Sequence, residues 1–500
     1  MVQLEADLAI VAAGASGLAA SVAAAQLGLK VVTLEKSSTT GGAANMGMGP
    51  LGIESRLTRA KQFQPTQDQA FEVFMNYVHW QADGRLVREH LNRSGETISW
   101  LEALGVVFAE PASYFPGSFP TWHIVQPESG HPGPTAAATM LRILTQRAKE
   151  LGVKLMLQTP ATRLIREGDK ITGVIAEDKS GEEIQINAKA VIVATGGFGD
   201  NPKMIKKHTG FDWGKDLHTF RIPGLEGDGM RMAWEAGAMS TPMRMELSFG
   251  VADPMLLGLD WLPLFHQPHL MLNLQGERFI NEAEGNDSFK GNAIALQKDR
   301  VCFFVFDESI KEEMKKSLDF VNLVIQTPNL ANIDSMIQKA VENGYPHLFV
   351  ADSVGDLAAK TGMNPAGLQA SLDEYNHFCD QGYDEVFIKP KRYLRPLRKG
   401  PYYAIRLYPA GYGSLGGIKI NYKTEVLDKN WDPIPGLYAS GTDACNIYGD
   451  TYVFQLPGNT MGFALTTGRM AAEHAAAYIR SLDSDSNGAA AEFAALETEK

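Results

Sequence analysis

The stretch that decides the fold is DLAIVAAGASGLAASVAAAQLGLKVVTLEK, residues 7–36. DLAIVAA is a continuous apolar run, which is typical of a buried parallel strand, and the alanine-rich LAASVAAAQLG after the loop predicts a helix. KVVTLEK then predicts a second strand. Together these segments predict a β-α-β unit, and therefore an α/β fold built on a Rossmann-like domain.

The loop in this unit carries two of the three glycines of a dinucleotide-binding fingerprint. The pattern G-x-G-x-x-G reads Ala12-x-Gly14-x-x-Gly17. Gly14 would let the backbone approach a pyrophosphate, and Gly17 would let the helix pack closely on the strand. Alanine fits the first position if its φ stays negative. Glu35 ends the second strand and could accept hydrogen bonds from ribose hydroxyls. The alternative is an alanine-rich unit without a ligand.

Three further glycine-rich segments favour FAD over a shorter cofactor. TTGGAANMGMG, residues 39–49, could run along a cofactor beyond its pyrophosphate, which an NAD site does not need. AKAVIVATGGFGDN, residues 188–201, predicts an apolar strand that ends where the backbone passes close to something. In residues 433–479, a strand leads into Gly441, and Gly458-Asn459 opens a helix. The free amides at the start of that helix could hold the electron-rich edge of a flavin.

With these segments in this order, the sequence resembles the FAD-dependent fumarate reductase/succinate dehydrogenase flavoprotein superfamily. The similar branch is the soluble single-chain one that includes urocanate reductases and 3-ketosteroid dehydrogenases. GDGMRMAWEAGA (227–238), GERFINE (276–282) and GSLGGIKIN (413–421) also fall in the expected order. The resemblance covers nearly the whole chain.

The resemblance implies a discontinuous FAD-binding domain with an inserted α+β capping domain. The first domain would comprise residues 1–240 and 395–484, and the capping domain residues 241–394. Residues 485–500 would form a C-terminal tail, polar and alanine-rich, in which a frayed short helix is expected. The proline-rich, basic segment 388–401 would link the two domains, either solvated or as a docking point for an acidic electron donor.

The resemblance also implies which residues hold the cofactor. Gly14 to Gly17 would hold the pyrophosphate, Glu35 and Lys36 the adenosine ribose, and Ala161 the adenine through its backbone. Asp228 and Asp443 would lie near the ribityl chain. The complete predicted set is Ala13, Gly14, Ala15, Ser16, Gly17, Glu35, Lys36, Gly42, Ala43, Ala44, Gly47, Met48, Ala161, Ala194, Thr195, Gly196, Asp228, Gly441, Asp443, Gly458, Asn459 and Thr460.

The attachment of the flavin can also be predicted. Some members of the superfamily tether it to a histidine in the loop after the second glycine pair. No histidine occurs between residues 1 and 78. We therefore expect the FAD to be non-covalent.

Three cationic positions of fumarate-type members are neutral in this chain. Asn286 stands where an arginine would donate a proton, shortly after RFINE. Tyr412 stands where a histidine would clamp a substrate carboxylate, and Gln455 where a second arginine would do so. A buried dicarboxylate without cations would be poorly compensated. The sequence therefore predicts that the substrate is not a dicarboxylate but a carbonyl-bearing molecule of little charge.

Several residues are candidates for catalysis. Tyr452, in GDTYVFQLPG, resembles a ketone-polarising tyrosine of ketosteroid dehydrogenases, with Gly458 as its possible amide partner. Tyr412 and Tyr452 could equally be packed core residues with satisfied hydroxyls. Arg221 could enter the cleft, and Lys290 could replace the missing acid; solvated or structural roles are the alternatives. The full set of candidates is Tyr452, Tyr412, Gln455, Arg221 and Lys290.

Two other residue pairs are predicted to take no part in catalysis or metal binding. Arg278 and Glu282 are predicted to form a structural ion pair that holds the capping domain. His266 and His269 have i, i+3 spacing, but no third ligand lies nearby in the sequence, so no metal site is predicted. His123 and His131 lie in a Pro/Gly-rich loop that could border the active site, with His131 as a candidate neighbour of substrate or flavin; otherwise these two histidines are expected to be solvated.

Composition limits the remaining function classes. The net charge of −12 is spread along the 500 residues and argues against nucleic acid. Three scattered cysteines fit a reducing compartment, and no apolar run is long enough for a membrane span, so a cytoplasmic location is expected. No iron–sulfur or haem motif occurs. Electrons must then pass through an external donor or acceptor, such as a redox protein partner.

The leading hypothesis is an FAD-dependent oxidoreductase that transfers hydride between flavin N5 and a carbon–carbon bond next to a carbonyl. The direction is open between an ene-reductase and a dehydrogenase. Alternatives are a 3-ketosteroid-type dehydrogenase, a flavoprotein subunit of an electron-transfer complex, and a sequestering flavoprotein without activity.

Overall fold

A computed structural model describes residues 2–128, 130–219, 222–253, 257–321 and 327–498, and only the backbone of 219, 259 and 485–498. Its strands are β1 Val2–Val11, β2 Val31–Glu35, β3 Lys154–Leu157, β4 Ala161–Glu167, β5 Lys170–Glu177, β6 Glu183–Val193, β7 His218–Thr219, β8 Arg244–Gly250, β9 Leu270–Leu272, β10 Cys302–Asp307, β11 Leu348–Ala351, β12 Tyr402–Gly417, β13 Glu425–Leu427, β14 Pro433–Ala439 and β15 Ala444–Cys445.

The helices are unevenly distributed, with one between β1 and β2 and four between β2 and β3. They are α1 Ala15–Gln26, α2 Arg56–Ala60, α3 Gln67–Tyr77, α4 Gly84–Ala103, α5 Ala137–Glu150, α6 Pro202–Thr209, α7 Asp228–Glu235, α8 Leu262–Phe265, α9 Asp287–Ala295, α10 Glu308–Met314, α11 Ile333–Glu342, α12 Val354–Thr361, α13 Pro365–Gln381 and α14 Asn459–Thr498. Within the described residues, none is both long and apolar enough to cross a membrane.

The first sheet is the one that the opening stretch predicts. Its order is β13-β14-β6-β1-β2-β3, with β5 added on β6 and β4 on β5. The central pairs are parallel: Leu8 of β1 lies opposite Val31 of β2 and Ala190 of β6. The carboxyl ends of β1, β2, β6 and β14 therefore meet at one edge, which is where α/β sheets bind ligands.

The second sheet is organised around the long strand β12. The first half of β12 pairs with β10 and β11, and the second half pairs with β8, β7 and β15. β12 thus joins strands from the predicted capping region to segments beside the first sheet. Opposite β8, the pairing shifts between Gly411 and Ser414, so that Tyr412 and Gly413 both face Glu246. Such bulges re-aim side chains and are frequent next to active sites.

Buried ion pairs stabilise the region between β9 and β12. Arg278 donates to Glu282 at 2.9 Å and to Asp384 at 2.8 Å, which confirms the predicted Arg278–Glu282 pair. Lys389, from the basic segment 388–401, lies 3.4 Å from Glu282 and is fully buried with it. Arg395 and Arg398 pair with acidic residues of the same region. Lys389, Arg395 and Arg398 of the basic segment therefore have acidic partners within the chain.

The C-terminal region differs from the expectation of a separate short helix. α14 begins at Asn459 and continues to Thr498. Its first half packs closely on α1, because a β-carbon on Gly468 would lie 2.3 Å from the backbone oxygen of Ser16. Small residues on both helices allow this approach, which the alanine-rich sequence of α1 also favours.

Candidate active site

The loop after β1 has the open face that a pyrophosphate needs. A β-carbon built on Gly14 would meet no atom within 4 Å, and Gly14 bridges to Gly41 of the following glycine-rich loop. A β-carbon on Gly17 would lie 1.9 Å from the backbone oxygen of Ala12, so only glycine fits there. Ala13 and Ala15 are buried beside this loop. Ser16 bonds Ser440 at 2.5 Å, which ties the loop to β14.

The structure corrects the expectation for Ala12. Its φ is +82°, in the left-handed region, whereas the sequence analysis required a negative value. The turn must bend sharply because the Ala12 N–H donates to Leu34 O at 2.8 Å while Gly17 packs on the Ala12 carbonyl. Ala12 therefore takes the place of the first fingerprint glycine, and its left-handed backbone is strained.

Glu35 organises the end of β2. Its carboxylate accepts the N–H of Ala13 at 2.8 Å and that of Ser37 at 2.8 Å. The Glu35 carbonyl accepts the N–H of Thr159, two residues before Ala161 at the start of β4. Each carboxylate oxygen retains lone-pair capacity for a ribose hydroxyl.

Lys36 and Asp228, predicted for different parts of the cofactor, lie together. Their charged groups are 2.6 Å apart, and Glu226 is 3.2 Å from Lys36. Burial opposes the charge on Lys36, but the two carboxylates outweigh it and raise its pKa. Asp228 begins α7 and also pairs with Arg231. This geometry places Asp228 on the Glu35–Lys36 side of the loop cluster.

Asp443 holds the turn after β6. The Thr195 hydroxyl donates to its carboxylate at 2.8 Å, and the Gly197 N–H donates at 2.9 Å. Burial raises the pKa of Asp443, and these hydrogen bonds offset part of the rise. Ala194 and Gly196 belong to the same turn. Gly441 precedes Asp443 and donates its N–H to Thr467 of α14 at 3.0 Å.

The glycine-rich loop after β2 forms a 3-10 helix, Gly42–Met46, which contains Ala43 and Ala44. A β-carbon on Gly47 would lie 2.4 Å from the methyl carbon of Met461, so the loop reaches the first turn of α14. Met48 is buried, and its carbonyl accepts the Val125 N–H at 2.9 Å. The loop therefore connects the β1 loop to the start of α14.

The N-terminus of α14 has polar atoms without partners. Asn459 Nδ2 and Thr460 Oγ1 are buried and have no hydrogen-bond partner among the described residues. The Thr460 N–H donates to the Tyr452 hydroxyl at 3.1 Å, and the Tyr448 hydroxyl bonds Asn459 Oδ1 at 2.9 Å. Gly458 packs against the backbone at Leu51. A flavin ring at this helix end would satisfy such orphaned groups, so the residues present fit FAD.

Tyr412 is the accessible side chain on the substrate side of this cluster. It is 39% exposed, as expected of a residue that lines a cleft. Burial and the negative charge of Asp287 raise the pKa of its hydroxyl, so it stays protonated. Tyr452, in contrast, is 4% exposed, and burial raises its pKa too.

Glu246 is a site residue that the sequence analysis missed. It is 8% exposed, and burial raises the pKa of its carboxyl to about 8. Neither carboxyl oxygen has a hydrogen bond to a described residue. Oε2 would be 3.7 Å from a β-carbon on Gly413. A lone glutamate gives no sequence signal, because its burial comes from the pairing of β8 with the distant strand β12.

Asp287 was also missed, although the neighbouring Asn286 was named. Its carboxylate accepts the Tyr114 hydroxyl at 2.6 Å and lies 3.4 Å from His266 Nε2. Burial disfavours the carboxylate, but His266 and Tyr114 outweigh this effect and hold the pKa of Asp287 below its ordinary value. Asp287 Oδ1 is buried without a partner in the part of the chain that the structure describes.

Aromatic rings form one wall beside these carboxyls. Tyr114 stacks on Phe454 with centroids 5.0 Å apart and an interplanar angle of 20°. Tyr452 lies edge-on to Phe454 at 4.7 Å, and Trp122 lies 5.8 Å from Tyr114. The combination of aromatic rings with carboxyls suits an apolar, uncharged ligand that can hydrogen-bond.

The remaining candidates have structural partners or lie outside the described residues. Gln455 donates to Gly117 O at 2.5 Å, and Asn286 donates to the Tyr77 hydroxyl at 2.7 Å. Lys290 is 2% exposed over the Phe249 ring, and burial lowers its pKa, with Asp287 offsetting part of the shift. Arg221 lies outside the described residues.

The expectation of a solvated side chain was wrong for His123, whereas His131 is exposed. His123 is fully buried and bonds Ser55 at 2.6 Å, and His269 is 4% exposed. The His266 side chain is 17% exposed and pairs with Asp287. Burial lowers the pKa of His266, but Asp287 outweighs this and raises it. Pairing across distant segments, which spacing along the chain does not show, accounts for this error.

Comparison with known proteins identifies the family. The sequence profile of the FAD binding domain matches residues 7–461. The chain belongs to the FAD binding domain family. The vinyl phenol reductase of Lactiplantibacillus plantarum is 34% identical over 486 residues, which cover 94% of this chain and 96% of that protein. The urocanate reductase of Eggerthella lenta is 28% identical over 445 residues, covering 88% and 70%.

A solved structure supports the fold. The 3-ketosteroid-delta4-(5alpha)-dehydrogenase from Rhodococcus jostii RHA1 superposes with a TM-score of 0.76 at 23% identity, covering 95% of this chain and 98% of that one. Together these matches confirm the predicted superfamily and the α/β fold. They also confirm that the chain is an FAD-dependent oxidoreductase that acts on carbon–carbon bonds.

Proposed function

We propose that this protein reduces the C=C bond of small, uncharged, conjugated alkenes, with FAD held non-covalently. The observation that carries this proposal is that Tyr412 faces Glu246 across the β8–β12 bulge and is influenced by the charge of Asp287, which accepts the hydroxyl of Tyr114 on the aromatic wall. A substrate carboxylate would be repelled by the Asp287 charge in a site of low dielectric. A neutral molecule would instead find hydrogen-bonding groups and rings.

Hydroxylated aromatic alkenes are the substrates that this cleft favours most. Tyr114 shows how a phenol fits, because its hydroxyl donates to Asp287 while its ring stacks on Phe454. A phenolic substrate offers the same donor and the same kind of ring. The relative named vinyl phenol reductase supports this class. Enones, whose carbonyl would accept a hydrogen bond from Tyr412, are the second class.

The chain's residues hold the cofactor, orient the substrate and exclude water. We assign the pyrophosphate to the loop around Gly14, the adenosine ribose to Glu35, and the flavin ring to the start of α14. FAD, when bound there, supplies the hydride. Tyr412 stays protonated and would donate a hydrogen bond to the substrate. We place residues 241–394 over the cleft as a cap, because Asp287 and Glu246 come from that segment.

We propose that an external donor supplies the electrons. The described residues include no group of three or more metal-binding side chains. The chain also lacks a haem or iron–sulfur motif. A small redox protein or a reduced nicotinamide is the donor class we propose. The free cysteines, two of them buried, fit a cytoplasmic location.

The cofactor is tested by the visible spectrum of the purified protein, followed by acid precipitation. We expect flavin absorption bands and a yellow supernatant that contains FAD. Colour that stays in the pellet would show a covalent flavin. A colourless protein that FAD does not reconstitute would overturn the assignment of the cofactor site.

The substrate class is tested by adding alkenes to the anaerobically reduced enzyme and following flavin reoxidation. We expect 4-vinylphenol to reoxidise the flavin, styrene to do so more slowly, and fumarate to have no effect above buffer. Comparable reoxidation by fumarate would contradict the proposal of an uncharged substrate. A Tyr412→Phe variant should slow reaction with an enone more than reaction with styrene.

A further inference from the structure

We propose that Glu246 is the acid that protonates the substrate carbon next to the one that receives hydride. This inference rests on the proposed function. The C=C π bond breaks, and the O–H bond of Glu246 breaks as a new C–H bond forms. The hydride and its electron pair come from the reduced cofactor, which the external donor has reduced. The Glu246 carboxylate then regains a proton from solvent.

The β-bulge places Glu246 at the cleft. Two residues of β12, Tyr412 and Gly413, face the single residue Glu246 on β8. Gly413 has no side chain that could cover the Glu246 carboxyl. A β-carbon built at Gly413 would already lie 3.7 Å from Glu246 Oε2, in van der Waals contact. Tyr412, next in the chain, is the accessible residue of the cleft. The bulge therefore sets the Glu246 carboxyl beside Gly413 and next to Tyr412.

The surroundings of Glu246 keep its proton in place. The titratable groups close enough for a Glu246 charge to raise their pKa are Tyr412 of β12, Cys445 of β15, and Tyr448 and Tyr452 of the following segment, all neutral when protonated. None of them is a cation that would favour a carboxylate. With its pKa raised to about 8 by burial, Glu246 carries a proton at neutral pH. General acids work best with a pKa near the operating pH.

The other acids near the cleft suit this role less well. The pKa of Asp287 is lowered, because His266 and Tyr114 outweigh the effect of burial, so Asp287 holds no proton at neutral pH. The pKa values of Tyr412 and Tyr452 are raised by burial, which makes their hydroxyls weaker acids than an ordinary tyrosine. Glu246 alone among these four groups combines a bound proton with a pKa close to neutrality.

The test compares the half-reaction of reduced enzyme with 4-vinylphenol in wild type, Glu246→Gln, Glu246→Asp and the surface control Glu235→Gln. We expect Glu246→Gln to slow flavin reoxidation by about 100-fold or more, as for loss of a general acid. Glu246→Asp should recover part of the rate, and the control should match wild type. Dithionite reduction and the spectral change on binding 4-ethylphenol should be unchanged in all four. The wild-type rate should fall above pH 8, and the residual rate of Glu246→Gln should not.

The remaining outcomes distinguish failure of this inference from failure of the proposed function. A Glu246→Gln rate within about threefold of wild type would overturn this inference and leave the proposed function standing. If wild type reacts with no alkene, the proposed function fails. The protonation of Glu246 is then still measured by infrared difference spectra of wild type against Glu246→Gln between pH 6 and 10. Absence of a carboxyl signal that titrates near pH 8 would overturn the inference independently of turnover.

Discussion

Two groups of buried ionisable side chains lie between residues 241 and 394, and they differ in whether their members have partners. In the paired group, Arg278 bonds both Glu282 and Asp384, and Lys389 lies 3.4 Å from Glu282. In the cleft group, Glu246 has no hydrogen bond and Lys290 no ion pair with any described residue. Burying an uncompensated charge is costly. The paired group thus has a structural explanation, whereas the cleft group needs a ligand or a reaction to explain it.

Removing the centre of the paired group should give the largest effect. Arg278→Met leaves Glu282 and Asp384 buried with one cation fewer, and we expect it to lower the free energy of unfolding by about 3–5 kcal/mol. The exposed Arg142→Met is the control and should change it by less than about 0.5 kcal/mol. Urea unfolding of the FAD-loaded proteins measures both. Equal losses in the two variants would mean that the buried pairs contribute no specific stability.

Replacing Glu246 with a neutral residue should raise the free energy of unfolding at alkaline pH, which is the opposite of the effect expected at Arg278. Its folded pKa of about 8 lies above the ordinary 4.5, so the folded state binds the proton more tightly. Wild type therefore loses stability as pH rises from about 4.5 to about 8. Glu246→Gln does not, and should exceed wild type at pH 9 by on the order of 4 kcal/mol, at about 1.4 kcal/mol per pKa unit.

The measurement is the difference between the two unfolding free energies at each pH, which cancels the other titrating groups. The difference should be small at pH 4.5, grow through the window and become constant above pH 8. A difference that does not depend on pH would show that Glu246 is ionised in the folded protein. The proposed difference between the cleft group and the paired group would then not hold for Glu246.

The cofactor side of the site could be predicted because backbone geometry fixes its sequence. Gly17 packs on the Ala12 carbonyl, and Gly14 leaves an open face. Only glycine meets both demands, so the spacing of these two glycines can be recognised in the sequence. The buried end of β1, Leu8–Val11, and the buried strand β2 likewise lie within segments whose apolar residues predict strands. The φ of Ala12 could not be predicted, because a left-handed alanine looks like any other alanine.

The substrate side could not be predicted in the same way, because its residues come together through long-range pairing. Asp287 meets Tyr114 from 173 positions away, and Glu246 meets Gly413 through the β8–β12 register. The absence of cations at positions 286, 412 and 455 indicated a neutral substrate. It did not indicate that two carboxyls stand nearby.

The Asp287–His266 contact should give an intermediate effect. Asp287 contributes stability above the unfolded aspartate pKa of about 4, and His266 below the unfolded histidine pKa of about 6.5. The pair is therefore worth most between these values. We expect Asp287→Asn to lose about 2 kcal/mol of unfolding free energy near pH 5.5 and less at pH 8. A loss that grows toward pH 8 would contradict the assigned charges.

Two buried lysines give the smallest and most direct test of the contrast. Lys389 has Glu282 at 3.4 Å and the Tyr375 hydroxyl at 2.9 Å, whereas Lys290 faces the Phe249 ring without an ion pair to a described residue. The same change to methionine removes a charge and keeps a similar shape. Lys389→Met should cost about 1–2 kcal/mol, and Lys290→Met should leave stability unchanged or raise it by about 1 kcal/mol. If both variants lose stability equally, Lys290 has a compensating partner in the folded protein. Its charge would then belong to the structure rather than to the cleft.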